Sequence, residues 1–191
     1  KQTVGICGSA IEHPHGVVRL EGFKSAIMAD AAYMDGFYTN PPTIGLEAAG
    51  THWAAWGTSQ EWFRLGLYQE MGLETPDDFI EWFQNFVKTW DANDLIALAN
   101  TWQRNDIGKT PRFNGDSEAA LSSIKSEVLY MPCETDQYFH IDALRWEAER
   151  IPNSNFVVIP SLWGHLAGSG NTEVDAIFIN DKIASFLDSG N

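Results

Sequence analysis

Only three short apolar segments of this chain have the pattern of β-strands, and a long helical stretch separates the first from the other two. Thr3–Cys7 is the first, and Glu127–Met131 and Phe156–Pro160 follow in the tail, each succeeded by a helical pattern. Such alternation predicts parallel βαβ units. Parallel strands need cover on both faces and neighbours on both edges. We therefore expect the chain to complete a sheet begun elsewhere, on another chain or on a removed N-terminal part; a self-contained α+β domain is the alternative.

The stretch between the first and second strands has apolar residues at helical spacing and few strand signals. A core strand and turn are expected over residues 1–16, a helical insertion over 17–115, and an α/β core over 116–191. The strongest helix start is Thr75-Pro76-Asp77-Asp78, with an N-cap residue, a proline and two carboxylates facing the positive end of the helix dipole. The other predicted helices of the insertion cover Val17–Asp30, Leu46–Trp56, Ser59–Met71 and a stretch from Asp91 or Asn93 through Trp102.

Composition excludes several classes of function. The formal net charge is −14 and no Lys/Arg cluster occurs, which argues against nucleic acid and anionic membrane surfaces as partners. No apolar run approaches the roughly 18 residues of a transmembrane helix. The two cysteines, Cys7 and Cys133, fit neither a disulfide framework nor a zinc motif and are expected as buried thiols. No metal site is expected, since the carboxylates of Asp77, Asp78 and Glu81 lie where a helix dipole accounts for them.

Two groups suited to proton transfer follow the two tail strands. Asp136 comes shortly after Glu127–Met131, and His165 shortly after Phe156–Pro160. In open α/β sheets ligands bind at the carboxyl ends of the strands, and adjacent parallel strands lie about 4.8 Å apart. A carboxylate that fixes one imidazole nitrogen leaves the other free to act as a base. We interpret Asp136 and His165 as catalytic, with Glu134 as a competing acid and a loop histidine packed under Trp163 as the plainer alternative.

The nucleophile that such a pair would activate has no candidate at the expected spacing. The G-x-S-x-G motif of a sharp strand-to-helix turn is absent. Gly57-Thr58-Ser59 lies between two predicted helices, and Gly168-Ser169-Gly170 follows His165. Cys7 lies within an apolar run with no positive neighbour to activate its thiol. The sequence thus contains a base and its orienting acid, and we expect the nucleophile outside these 191 residues.

Residues 101–139 and 151–170 resemble the C-terminal half of the homoserine O-acetyltransferase-like family of α/β-hydrolases, and "ICGSA" with "LEGFKSAIMAD" fits the segment after the nucleophile helix. The resemblance implies the C-terminal part of a mostly parallel sheet, with a large helical lid inserted between the sixth and seventh strands. It implies a triad of a serine, Asp136 and His165, and an acyl-enzyme intermediate. The serine and the oxyanion-hole amides would belong to an N-terminal half, expected as a separate chain cleaved from a longer precursor at about Lys1.

Two positions depart from the family pattern. True homoserine acetyltransferases have an acidic residue after the histidine, whereas Leu166 follows His165 here, which argues against homoserine as the acceptor. His140 stands where relatives often have proline, and we interpret it as a structural residue. Most aromatic residues of the helical insertion are expected to pack in its core, but Trp53 and Trp56 are candidates to line an apolar substrate pocket.

The combined prediction is a serine hydrolase or acyltransferase that acts on a small-molecule ester or thioester, with water or an alcohol as acceptor. An O-acetyltransferase that uses acetyl-CoA as co-substrate and a non-catalytic lid-bearing subunit are the alternatives. No other cofactor is expected. A homodimer of the assembled unit and a cytoplasmic location are further expectations.

Overall fold

The computed structural model describes residues 1–189 and divides into two compact units. The first contains Lys1–Ile11, Gly57–Ser59 and the chain from Asp106 onward. The second contains Glu12–Trp56 and Gln60–Asn105. Across residues 1–189, none of the helices combines the length and the apolar character that crossing a bilayer requires.

The first unit is built on a three-stranded parallel sheet. Its strands are β1 (Gln2–Ile6), β2 (Glu127–Met131) and β3 (Ser154–Phe156), in the order β1-β2-β3. Val4 of β1 lies opposite Leu129 of β2. The parallel βαβ arrangement predicted from the alternating pattern is therefore present, with β2 as the central strand.

β3 begins two residues earlier than the predicted strand Phe156–Pro160 and its regular part ends at Phe156. The chain nevertheless stays beside β2, since the Ile159 amide donates to the Pro132 carbonyl at 2.7 Å and Cys133 forms an isolated bridge with Ile159. Pro132 has no N–H group and cannot continue a regular ladder. This extended pairing brings the segments that follow β2 and β3 side by side.

Three helices accompany this sheet. They are α6 (Ser117–Ser122), α7 (Ile141–Arg150) and α8 (Glu173–Asp188). Helices are numbered in chain order, and α1 to α5 belong to the second unit. The fully buried apolar side chains of this unit include Leu121, Leu129, Met131, Leu144 and Ile159.

Glu147 on α7 is a completely buried acid of the same unit. Its carboxylate accepts from the Ala10 amide at 2.9 Å, the Ile11 amide at 3.2 Å and the Tyr130 hydroxyl at 2.6 Å. Burial and the neighbouring carboxylate raise the pKa of Tyr130, so this hydroxyl stays a donor. The two amide bonds fix the segment that follows β1, and the Tyr130 bond ties the carboxylate to β2; a buried carboxylate must have its lone pairs satisfied.

The second unit consists of α1 (Pro14–Met28), α2 (Thr43–Ala54), α3 (Gln60–Arg64), α4 (Pro76–Lys88) and α5 (Ala92–Gln103). Its apolar core contains Leu20, Phe23, Ile27, Leu46, Ala49 and Val87. The helix predicted over Ser59–Met71 is wrong in its continuity: α3 stops at Arg64, and a short 3-10 helix covers Leu67–Met71. Gly66 lies between them at φ +67°, a left-handed conformation that a continuous α-helix cannot contain.

Candidate active site

Asp136 and His165 meet beyond the carboxyl ends of β2 and β3. The His165 Nδ1 atom lies 3.0 Å from Asp136 Oδ2. The aspartate side chain is completely buried, while 28% of the histidine side chain is exposed. The structure thus joins the two residues that the sequence singled out, with the acid inside and the imidazole at the surface of the unit.

The loop backbone holds the second oxygen of the carboxylate. Asp136 Oδ1 accepts from the Tyr138 amide at 2.7 Å and the Phe139 amide at 3.3 Å. These two bonds fix the orientation of the carboxylate. Glu134, the competing acid, is exposed, and its amide pairs with the Ile159 carbonyl.

Thr135 ties the loop that carries Asp136 to the loop that carries His165. Its hydroxyl donates to the Ser161 carbonyl at 2.7 Å and accepts from the Gly164 amide at 3.2 Å. Ser161 in turn donates its hydroxyl to Asp175 on α8 at 2.9 Å. The two loops therefore form one hydrogen-bonded layer on top of the sheet.

Tyr138 and Phe139 pack against the imidazole and were not among the residues predicted from the sequence. The Tyr138 ring centroid lies 4.3 Å from that of His165 with the planes at 37°, and the Phe139 centroid lies at 5.7 Å. Aromatic neighbours restrict the orientation of the imidazole ring. Their position two and three residues after Asp136, on a short loop, is the one signal in the sequence that points to them.

This arrangement can move a proton. With the proton on Nδ1, the imidazole donates to Asp136 and presents Nε2 as a base, and the buried carboxylate stabilises the cation that forms when Nε2 takes a proton. Proton transfer of this kind needs a nucleophile within hydrogen-bond reach of Nε2.

Two of the sequence candidates for that nucleophile, Ser59 and Cys7, lie in surroundings that do not activate them. Ser59 is buried and its Oγ donates to the Leu162 carbonyl at 2.7 Å. Cys7 is buried, and burial raises the pKa of its thiol to about 12, which keeps it in the unreactive protonated form. Neither residue has the environment of an activated nucleophile.

Trp53 and Trp56, the candidates for a substrate pocket, lie in the second unit. Trp53 packs against Phe23 at a centroid distance of 4.8 Å and against Trp102 at 5.9 Å. Trp56 packs against His15 at 5.3 Å, and both tryptophans are half-buried. These contacts are those of packing residues, and the substrate-binding role of the two tryptophans stays a prediction.

The two departures from the family pattern also have definite places. His140 is exposed, and its Nδ1 accepts from the Asp142 amide at the start of α7. Leu166 follows the histidine in a short 3-10 helix, and its amide donates to the Gly57 carbonyl at 3.2 Å. In residues 1–189 the structure brings no three His, Cys, Asp or Glu side chains together in a group that could hold a metal ion.

Comparison with known sequences points to one group of enzymes. The chain is 33% identical over 192 positions to an ethyl acetate hydrolase of Pseudomonas veronii, a match that covers 99% of this chain and 54% of the relative. It is 28% identical to a probable esterase of Corynebacterium glutamicum, covering 84% of this chain and 46% of that protein. A homoserine O-acetyltransferase of Chlorobaculum tepidum is also 28% identical, with 82% and 45% covered. No protein-family model matches the chain.

Solved structures give the same picture. The acetyl esterase MekB superimposes with a TM-score of 0.94 at 30% identity, over 98% of this chain and 55% of that one. An acetylester hydrolase from Corynebacterium glutamicum gives a TM-score of 0.85 at 26% identity, over 90% and 49%. The homoserine O-acetyltransferase of Bacillus anthracis, at 18% identity and a TM-score of 0.78 over 91% and 50% of the two chains, shares the fold.

These matches confirm the expected fold, since the chain has the architecture of part of an α/β-hydrolase. It spans about half the length of the curated relatives that it matches. The fold and the matched relatives agree: both the parallel sheet with its helical unit and the matched esterases and acetyltransferases indicate the α/β-hydrolases. The chain is related, over almost its whole length, to about half the length of the acetyl esterases and homoserine O-acetyltransferases of the α/β-hydrolase fold.

Proposed function

We propose that this chain supplies the acid and the base of a serine esterase that hydrolyses small acyl esters through an acyl-enzyme. One observation carries the proposal: the 3.0 Å contact between His165 Nδ1 and the buried carboxylate of Asp136. Similarity to proteins named as an ethyl acetate hydrolase and an acetyl esterase supports short acyl esters as the substrate class.

The nucleophilic serine is proposed to lie outside these 191 residues, together with the oxyanion-hole amides. The absence of G-x-S-x-G from the sequence and the relatives' roughly twofold greater length support this. The proposed arrangement is a separate N-terminal chain, produced by cleavage of a longer precursor, that joins its sheet to β1. The two halves together would form the small-molecule site.

The reaction uses His165 twice. The serine hydroxyl attacks the ester carbonyl while its proton moves to His165 Nε2, and the tetrahedral intermediate collapses when His165 returns that proton to the leaving alcohol. Water then attacks the acyl-enzyme, gives a proton to His165 and releases the carboxylic acid as the serine takes the proton back. Asp136 keeps the imidazole in the productive tautomer during both halves of the cycle.

Acetyl transfer to an alcohol is the second candidate, because homoserine O-acetyltransferases are among the relatives. In that reaction acetyl-CoA acylates the serine and an alcohol replaces water in the second half. Leu166, which stands where the acetyltransferases have an acid, favours hydrolysis. Assays of CoA release from acetyl-CoA with and without an amino-alcohol acceptor separate the two reactions.

The test uses the complete protein purified from its native source, with a fluorophosphonate probe and p-nitrophenyl acetate. We expect one labelled serine, on a polypeptide other than these 191 residues. His165→Ala is expected to lower both labelling and hydrolysis by about 10³-fold or more. His140→Asn is the matched control, since His140 is an exposed histidine of the same unit and asparagine retains a capping acceptor.

Two results would contradict the proposal: wild-type protein that is neither labelled nor active, which favours a non-catalytic subunit, or labelling that survives His165→Ala. Intact mass of the labelled sample checks the chain arrangement by itself. A single polypeptide that contains both the serine and this sequence would refute the separate chain and leave the triad intact.

A further inference from the structure

A tripeptide that joins two helices of the second unit in sequence belongs, by its contacts, to the first unit. Gly57–Ser59 lies between α2 and α3 in sequence, yet it clusters with the sheet that carries Asp136 and His165. Thr58 is completely buried and only 5% of Ser59 is exposed. We call residues 57–59 the strap. Its burial is unusual, because connections between helices normally run over the surface.

The strap is hydrogen-bonded on both sides of His165. The Ser59 hydroxyl donates to the Leu162 carbonyl at 2.7 Å, and the Ser59 amide reaches the same oxygen at 3.4 Å. On the other side, the Leu166 amide donates to the Gly57 carbonyl at 3.2 Å. The short loop segment that presents the imidazole is therefore fixed before and after the histidine.

The strap also contacts the loop of the acid. Gln137, the residue after Asp136, donates its side-chain Nε2 to the Thr58 carbonyl. The three strap residues thus bond to both loops, and Gln137 provides the link on the Asp136 side. Thr135 joins the same two loops directly, so the pair is held from two directions.

Gly164 allows the strap to approach this closely. A Cβ atom at Gly164 would lie 3.0 Å from both Cα and the carbonyl carbon of Thr58, which is backbone that cannot move aside easily. Gly164 also has φ +58°, a left-handed conformation that favours glycine. The residue before His165 therefore packs backbone against backbone on the strap.

We propose that the strap positions His165 relative to Asp136, with Ser59 and Gln137 as positioning residues of the reaction. The kinetic part of this inference, a change in kcat, rests on the proposed function. The 3.0 Å contact joins two loops that follow different strands, and it persists only while both loops keep their places. Misplacement of a catalytic group by about 1 Å can cost on the order of 100-fold in rate. A loosened strap is expected to impair the chemical step and to leave substrate binding almost unchanged.

The experiment compares Ser59→Ala and Gln137→Met in the complete protein with Ser59→Thr, which retains the hydroxyl donor. Ser185→Ala is the matched control, since Ser185 also donates its hydroxyl to a backbone carbonyl, at an exposed position of α8. We expect kcat for p-nitrophenyl acetate to fall about 10- to 100-fold in the first two variants, with KM changed by less than about twofold. Ser59→Thr is expected to restore most of kcat, and Ser185→Ala to match the wild type.

Proton NMR reports on the contact between His165 and Asp136 itself, and a substitution that only lowers the stability of the fold would leave this signal unchanged. The downfield signal of the imidazole proton between His165 and Asp136 is expected to shift or broaden in Ser59→Ala and Gln137→Met, and to stay in place in Ser185→Ala. Thermal unfolding of each variant shows how much of any lost activity reflects lost folded protein. Gln137→Met tests the strap from the acid's side if Ser59→Ala does not fold.

The inference is overturned if either folded variant keeps the wild-type kcat and imidazole signal, or if kcat falls only in proportion to the folded fraction. Its failure differs from failure of the proposed function. Wild-type protein without labelling or activity refutes the function, and the NMR signal then still tests the strap. An active wild type with unaffected strap variants refutes the strap alone.

Discussion

At the scale of single residues, Asp136 uses both oxygens of one carboxylate for different purposes. Oδ1 is held by two backbone amides, and Oδ2 faces His165. In Asp136→Asn the amide oxygen can keep the backbone bonds, but the amide nitrogen then faces Nδ1 and favours the tautomer with its proton on Nε2. We expect kcat to fall by about 10³- to 10⁴-fold.

The check on Asp136→Asn is to measure kcat and thermal unfolding of the complete protein together. An unchanged unfolding temperature with a large loss of kcat is the expected result, because the backbone bonds remain. Activity within a few-fold of the wild type would show that Asp136 does not orient the base and would return Glu134 to consideration.

Cys7, in contrast to Asp136, has a side chain that its buried surroundings keep unreactive. Burial raises the pKa of its thiol to about 12, so the thiolate fraction at pH 8 is on the order of one part in 10⁴. Because the shift is upward, the reactive thiolate appears only as pH rises towards that value. We expect native Cys7 to resist iodoacetamide at pH 8 and Cys7→Ala to remain active. Rapid native alkylation, or loss of hydrolysis in Cys7→Ala with normal folding, would contradict this.

At the scale of helices and strands, the sequence predicted the start of a helix correctly where the groups that determine it lie within one helical turn. Thr75 caps α4, as its sequence indicated, because the donors and acceptors of a cap lie within one turn. The structure adds a capping box between Thr75 and Asp78. The continuous helix over Ser59–Met71 was wrong, since the apolar spacing continues through Gly66 while the backbone does not. The predicted strand Phe156–Pro160 was misplaced because apolar character marks burial as well as strand pairing.

The meeting of Asp136 with His165 was predictable for a physical reason. Carboxyl ends of adjacent parallel strands lie at one edge of a sheet, so residues that follow them shortly in sequence come together. The strap was not predictable in this way. Gly57-Thr58-Ser59 has the composition of any loop, and its partners lie about a hundred residues further along the chain. Contacts between such distant segments leave no periodic signal in the sequence.

At the scale of the whole molecule, β1 is the strand through which this chain would meet the rest of the proposed enzyme. Within the described residues β1 pairs with β2 alone, in the order β1-β2-β3. The Cys7 amide donates to Met131, and the Lys1 carbonyl accepts from Glu127. Because alternate residues of a strand direct their backbone groups to opposite neighbours, the amides of Gln2, Val4 and Ile6 face away from β2.

An edge strand with free backbone groups is a template for pairing. In the proposed enzyme a strand of the nucleophile-bearing half occupies this edge of β1. We therefore predict that the amides of Gln2, Val4 and Ile6 exchange slowly with deuterium in the complete protein, at rates like those of the central strand β2. Residue-resolved hydrogen exchange measures this, with Leu187 and Asp188, two exposed residues at the C-terminal end of α8, as a fast-exchanging reference. Fast exchange at all three amides, in protein that hydrolyses esters, would mean that the serine reaches His165 by an arrangement that leaves β1 at the edge of the sheet.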